Sequence, residues 1–106
     1  MKELSEGKGR TQIRLGIEGF GSDIYLELIG GSTHLGCAVL CEPGQKAKSI
    51  TLGNHKEHVV AVPLAEAAAK KYNKTVAVLA GIHIDNATPE EIEEIKRNCR
   101  LLEKEL

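Results

Sequence analysis

Tryptophan is absent from this chain of 106 residues, and its aromatic side chains are one Phe and two Tyr. Platforms on which unpaired bases could stack are therefore scarce. An excess of charge of one sign is lacking too. The 14 Lys plus Arg against 15 Asp plus Glu leave a formal charge of -1, which gives no broad basic surface for nucleic acid or an acidic bilayer. Neither is an expected partner. No apolar run approaches the roughly 18 to 20 residues of a spanning helix. The opening M-K-E-L-S-E-G-K-G-R lacks the apolar segment of a signal peptide, so the expectation is a soluble, cytoplasmic protein. Cysteine is sparse and poorly spaced for chemistry: Cys37, Cys41 and Cys99 cannot all pair within one chain, and none makes a C-x-x-C. Cys37 and Cys41 would share a strand face, too far apart for a disulfide. They read as small buried hydrophobes, with soft metal ligation as the other use.

What is present is one domain's worth of alternating pattern. Residues 1–9 are polar and aperiodic and read as a flexible arm, leaving 10–106 as a single domain. Ile13, Leu15 and Ile17 alternate with polar neighbours, Gly19 to Ser22 make a turn, and Ile24, Leu26 and Leu28 resume the alternation. This predicts an antiparallel hairpin. Further strands are expected over 37–42 and 49–52, either side of a turn at Pro43 and Gly44. A helical stretch then leads from 53–56 to about Asn73, with Val60, Leu64, Ala67, Ala68 and Tyr72 on its buried stripe. Pro63 should kink or restart it. Residues 75–84 are apolar on both faces, as in an interior strand. A last helix, about 89–104, should bury Ile92, Ile95, Cys99 and Leu102. The class is α+β, an antiparallel β-meander with two α-helices packed on one face in the order β-β-β-β-α-β-α. The other sheet face is too apolar for full exposure, so a homodimer is expected.

The densest information lies in L-A-G-I-H-I-D-N-A-T-P-E-E-I, residues 79–92. Strand alternation puts His83 and Asp85 on one face roughly 6.5–7 Å apart. Thr88 as N-cap, Pro89 at the first helical position and Glu91 as capping-box partner then start a helix at once. The strand's exit is thereby given a direction.

Two other polar clusters also sit at strand ends. One is G-G-S-T-H-L-G, holding Gly31, Ser32, His34 and Gly36, and the other is G-N-H-K-E, holding Asn54, His55 and Lys56. If the strand ends converge, imidazoles, an ammonium, a carboxylate and close-approaching backbone would line one cleft suited to a phosphate or a polar heterocycle. Plainer readings compete: the glycines can simply shape a loop, Lys56 can be a solvated side chain, Glu57 a first-turn acid, and His83 with Asp85 a pair that holds its own loop. His34, His55, His83 and Asp85 could be drawn as metal ligands, but no H-E-x-x-H spacing supports that, and Ser32 and Thr33 show no nucleophile elbow. No catalytic residue is assigned. A small metal- or acid–base-dependent lyase using His83 and Asp85 is the enzyme alternative.

The pieces G-G-S-T-H-L-G, L-G-N-H-K-E and A-G-I-H-I-D-N-A-T-P-E-E-I, in this order, resemble the LpdD-like family over roughly residues 10–105. These are the prenylated-flavin chaperones associated with UbiD-type aromatic acid decarboxylases. The resemblance implies a non-catalytic carrier that holds reduced prenylated FMN, or FMN, and helps pass it to an apo UbiD-type decarboxylase. It also implies a fold like that of the proteasome assembly chaperones, paired as a dimer. Residue by residue, it places His34, His55, Lys56, His83 and Asp85 in the pocket. Thr33 departs from the family's proline and Asn54 from its glycine. A chaperone that binds only a protein partner is the third reading.

Overall fold

The first strand lies where a loose arm was expected. In the computed structural model, which describes residues 1–106, β1 (Lys2–Glu6) pairs antiparallel with β2 (Ile13–Phe20), and Leu4 stands opposite Leu15. K-E-L-S-E carries one apolar residue, too few to announce a strand by alternation. What makes it one is its position at the sheet edge beneath the last helix, where only Leu4 needs to reach the core. A single 3-10 turn, Gly9–Thr11, joins the two strands.

The predicted hairpin of β2 and β3 (Asp23–Gly31) is present in full register, from Ile13 opposite Gly30 to Phe20 opposite Asp23. The second hairpin, β4 (Cys37–Cys41) with β5 (Lys48–Thr51), is present too. They are not neighbours. Between them lies β6 (Val76–His83), parallel to β3 and antiparallel to β4, so the six-stranded sheet is mixed, in the order β1-β2-β3-β6-β4-β5. This corrects the purely antiparallel meander. The sequence order is β-β-β-β-β-α-β-α.

Both helices cover one face of the sheet. From the strands, Ile13, Leu15, Leu26, Leu28, Val39, Val76 and Val78 are inaccessible or nearly so. The helix α1 (His58–Tyr72) packs on them with Ala61, Leu64, Ala65, Ala68 and Ala69, whose small side chains let the helix lie close. The buried stripe is thus displaced from the expected one, and Val60, Ala67 and Tyr72 are only half-buried. Pro63 does not restart the helix. The backbone bond it forfeits is the one to the Val59 carbonyl, and Val59 is half exposed, so solvent can serve that oxygen. Asn73 ends α1 in the left-handed conformation at φ 52°.

The second helix, α2 (Pro89–Glu105), starts as read from the sequence. The Glu91 N–H donates to Thr88 Oγ1 at 3.1 Å, and the Thr88 N–H donates to Glu91 Oε1 at 3.0 Å. Cys99 and Leu102 are buried as expected, but Ile95 is only half-buried and Ile92 is 45 % exposed. Asn98 is buried and donates from Nδ2 to the Thr11 carbonyl at 3.0 Å. All three cysteines are free and buried. No helix is long and apolar enough to cross a membrane.

The opposite sheet face is bare. Leu40 is 59 % and Ile50 71 % exposed there, beside Ala38, while Ala77 and Leu79 of the central strand are half-buried.

Candidate functional site

Strand direction brings the three polar clusters together. β3 and β6 are parallel, so Gly31 and His83 leave the sheet at the same end, while β4 enters and β5 leaves there, with Cys37 opposite Thr51. Every loop bearing a candidate histidine therefore opens on one rim.

The loops cross at glycines because nothing larger fits. A side chain on Gly81 would run into the backbone carbonyl of His34, and one on Gly31, which sits at φ 63°, into that of His83. The Ser32 N–H donates to the His83 carbonyl at 2.9 Å, and the Gly36 N–H to the Ala80 carbonyl at 3.0 Å. Gly31, Ser32 and Gly36 thus act on the site through its backbone. Thr33 closes its own loop, with Oγ1 donating to the Gly30 carbonyl at 3.3 Å.

With the loops so fixed, three imidazoles stand in a row. His34 meets His55 edge to face with ring centroids 4.7 Å apart, and meets His83 on its other side at 5.2 Å. A carboxylate closes each end. His83 Nε2 lies 2.8 Å from Asp85 Oδ1, and His55 Nδ1 lies 3.2 Å from Glu57 Oε2. No group of three or more His, Cys, Asp or Glu side chains is arranged to hold a metal ion.

The two carboxylates differ in setting. Asp85 is 80 % exposed, whereas Glu57 is only 6 % exposed by its side chain and also accepts the Ile82 N–H at 3.2 Å. A side chain on Gly36 would collide with that carboxylate. Beneath it, burial raises the Cys37 thiol above its ordinary pKa; a Thr51 hydroxyl bond opposes the shift and the Glu57 charge adds to it.

His55 and His83 edge a groove of about 410 Å³ between the start of α1 and the first turns of α2, within the size range of small-molecule sites. Val59, Val60, Ile82, Ile92 and Ile95 give it apolar walls, and Asn54, Lys56 and Lys96 stand on its rim. It continues between the helices past Pro63 to Arg100, with Cys99 in its floor. Burial pushes that thiol up to about 12, which leaves it protonated. A larger hollow of about 540 Å³ at the other end of the sheet is walled by Glu42, Gln45, Lys46 and Lys48 and contains no histidine. His55 and His83 border the first.

One expectation about the second cluster needs correction. Asn54, His55 and Lys56 precede α1 instead of opening it, since the helix begins at His58 after Glu57. The His55 N–H is already given to the Leu52 carbonyl at 3.1 Å. That N–H is therefore not free for an anion, and Lys56 brings its ammonium to the rim of the groove. Two residues of the site were not assigned to it from the sequence: Glu57, which reads there as a first-turn acid, and Lys96. The available signal for Lys96 was its place one turn beyond Ile92, on the face that borders the groove.

The loop over residues 84–88 is held from the far edge of the sheet. Arg10 donates from Nη2 to the Asp85 carbonyl at 2.6 Å and from Nε to Glu91 Oε2 at 2.7 Å. The capping box and this guanidinium together aim Asp85 at His83.

A family model described as the prenylated flavin chaperone LpdD-like domain matches residues 7–106. The chain belongs to that family. Among curated proteins none matches the sequence. Among solved structures, this LpdD-like chain is similar to a chain of a chaperone complex for yeast 20S proteasome assembly, with a TM-score of 0.56 and 15 % identity over 99 % of this chain and 97 % of that one. At that identity the likeness is one of fold. The proteasome-assembly-chaperone architecture implied by the motifs is thus present, with its sheet mixed.

Proposed function

We propose that this LpdD-like domain binds reduced prenylated FMN at the groove beside the three imidazoles and assists its delivery to an apo UbiD-type decarboxylase. The observation that carries the reading is the meeting of His34, His55 and His83, from three separate segments of chain, with His55 and His83 edging an apolar-walled groove that has two lysines on its rim. A reduced isoalloxazine is electron-rich and easily oxidised, and Val59, Ile82, Ile92 and Ile95 offer it a wall that sheds water. Lys56 and Lys96 supply charge for its phosphate. Of the other named positions, His34 and Asp85 hold the imidazole row in place, while Asn54 borders the groove. A carrier must also release its cargo. An open groove with few aromatic stacking partners suits modest affinity.

The test is an anaerobic titration of the purified protein with reduced prenylated FMN, paired with an assay of apo-decarboxylase activation. Saturable binding that is weakened in His34→Ala and His83→Ala, with a matching loss of activation, supports the reading. No binding, with activation unchanged in both variants, overturns it.

A second reading, a chaperone that binds only a protein partner, draws on the bare sheet face with Leu40 and Ile50 exposed. A second copy of the chain seated there would make the homodimer and use that face without competing with the groove. The lyase reading gains little: Asp85 is four-fifths exposed, so the His83–Asp85 pair works in water and not in a shielded site.

A further inference from the structure

The three-imidazole row is asymmetric, and the asymmetry lies at Glu57. Acidic side chains are almost never fully buried without a partner, yet this one sits under the rim at 6 % exposure. Its Oε2 receives the Ile82 N–H at 3.2 Å and lies 3.2 Å from His55 Nδ1. Gly36 leaves room for it, since any side chain there would meet the carboxylate. Three segments of chain thus converge to hold one oxygen against one ring nitrogen.

An ionised carboxylate only accepts hydrogen bonds. A neutral imidazole facing it must carry its proton on the facing nitrogen, and the other nitrogen then offers a lone pair. We propose that Glu57 is a positioning residue of the flavin site: it holds His55 with Nδ1 protonated, so that Nε2 presents a hydrogen-bond acceptor to the ligand. Asp85, 2.8 Å from His83 Nε2, sets the opposite tautomer at the other end of the row and frees Nδ1 of that ring. Two oriented acceptors select a ligand edge that donates. The imide N–H of an isoalloxazine is such an edge, and a ligand bearing only carbonyls is not. This inference rests on the proposed flavin-binding role, but its first test does not.

That test is nitrogen-15 NMR of the histidine rings in the ligand-free protein at about pH 8.5, roughly two units above the ordinary imidazole pKa. His55 is expected with its proton on Nδ1. A proton on Nε2 in the wild-type protein would overturn the proposal whether or not flavin binds. In Glu57→Ala the ring is expected to shift toward the Nε2-protonated form, and in Glu57→Gln, whose amide oxygen can take the place of Oε2, to return to the wild-type form. An unchanged tautomer in a folded Glu57→Ala protein would overturn it as well.

The second test is a cycle with FMN, reduced by dithionite, as the probe. Glu57→Ala should weaken binding about tenfold, the worth of one good hydrogen bond, and should add nothing in a His55→Ala background. An equal loss in both backgrounds would make Glu57 a merely structural residue. Should wild type bind no flavin at all, the proposed function fails, while the tautomer measurement still decides the role of Glu57.

Discussion

His34 lies edge-on to His55 with their ring centroids 4.7 Å apart, although one belongs to the loop that enters the β4–β5 hairpin and the other to the loop that leaves it. The contact exists because the Leu52 N–H donates to the Gly36 carbonyl at 2.9 Å, drawing the end of β5 back over the start of β4. The site depends on that closure and on the glycines that allow it.

Gly81→Ala should therefore damage the site more than the fold. The added methyl would meet the His34 carbonyl, and the 32–36 loop must move to admit it at a cost of about 1–3 kcal/mol. Urea denaturation should show a loss of that size with a native-like spectrum, while contacts between the His34 and His83 rings disappear. A protein that keeps those contacts would show that the loop is not held as described.

The lysines on the rim should read the phosphate. Lys56→Ala and Lys96→Ala are each expected to lower affinity for FMN by about five- to tenfold, as for one charge-assisted contact, and to lower riboflavin affinity much less. Calorimetry with both ligands checks this. Equal losses for the two ligands would remove the phosphate from this rim.

Acid should loosen the start of α2. The Thr88 N–H chiefly, and then the Arg10 guanidinium, hold the Glu91 carboxyl below its ordinary value of 4.5. A depressed acid stabilises the fold above its unfolded pKa, and that contribution is lost as pH falls through the folded value. The melting temperature of wild type should fall more steeply below about pH 4.5 than that of Glu91→Gln. Parallel acid limbs would refute it. Thr88→Ala should cost about 1 kcal/mol at neutral pH through the lost cap.

The bare sheet face yields a separate expectation. If a second copy covers it, Leu40→Asp places an unpaired charge in that interface, and sedimentation should show a wild-type dimer and a variant monomer. A wild-type monomer, or a variant dimer of unchanged stability, would send the search for a partner to another surface.

Much of this fold can be read from local pattern, because its signals are local. The alternation of Ile13 to Leu28 and the Thr88–Glu91 capping box each depend on residues close in sequence, and both appear in the structure as expected. β1 has no such signal in K-E-L-S-E; its pairing is set by β2. The place of β6 between the two hairpins is likewise a long-range outcome, since an apolar strand carries no label for its neighbours. Ile92 and Ile95 have the spacing of core residues, yet Ile92 is exposed and Ile95 only half-buried against the core, and both wall the groove. Glu57 was illegible for the same reason: its burial comes from Gly36 and Ile82, neither adjacent to it in sequence.

The most direct test of the central claim follows the four histidine rings by NMR during an anaerobic titration with reduced prenylated FMN. The resonances of His34, His55 and His83 should shift together along one binding isotherm, while that of His58, exposed at the start of α1, stays in place. Shifts confined to His58 or to the Leu40–Ile50 face, or no shift in the three rings at saturation, would contradict a flavin site at their meeting point.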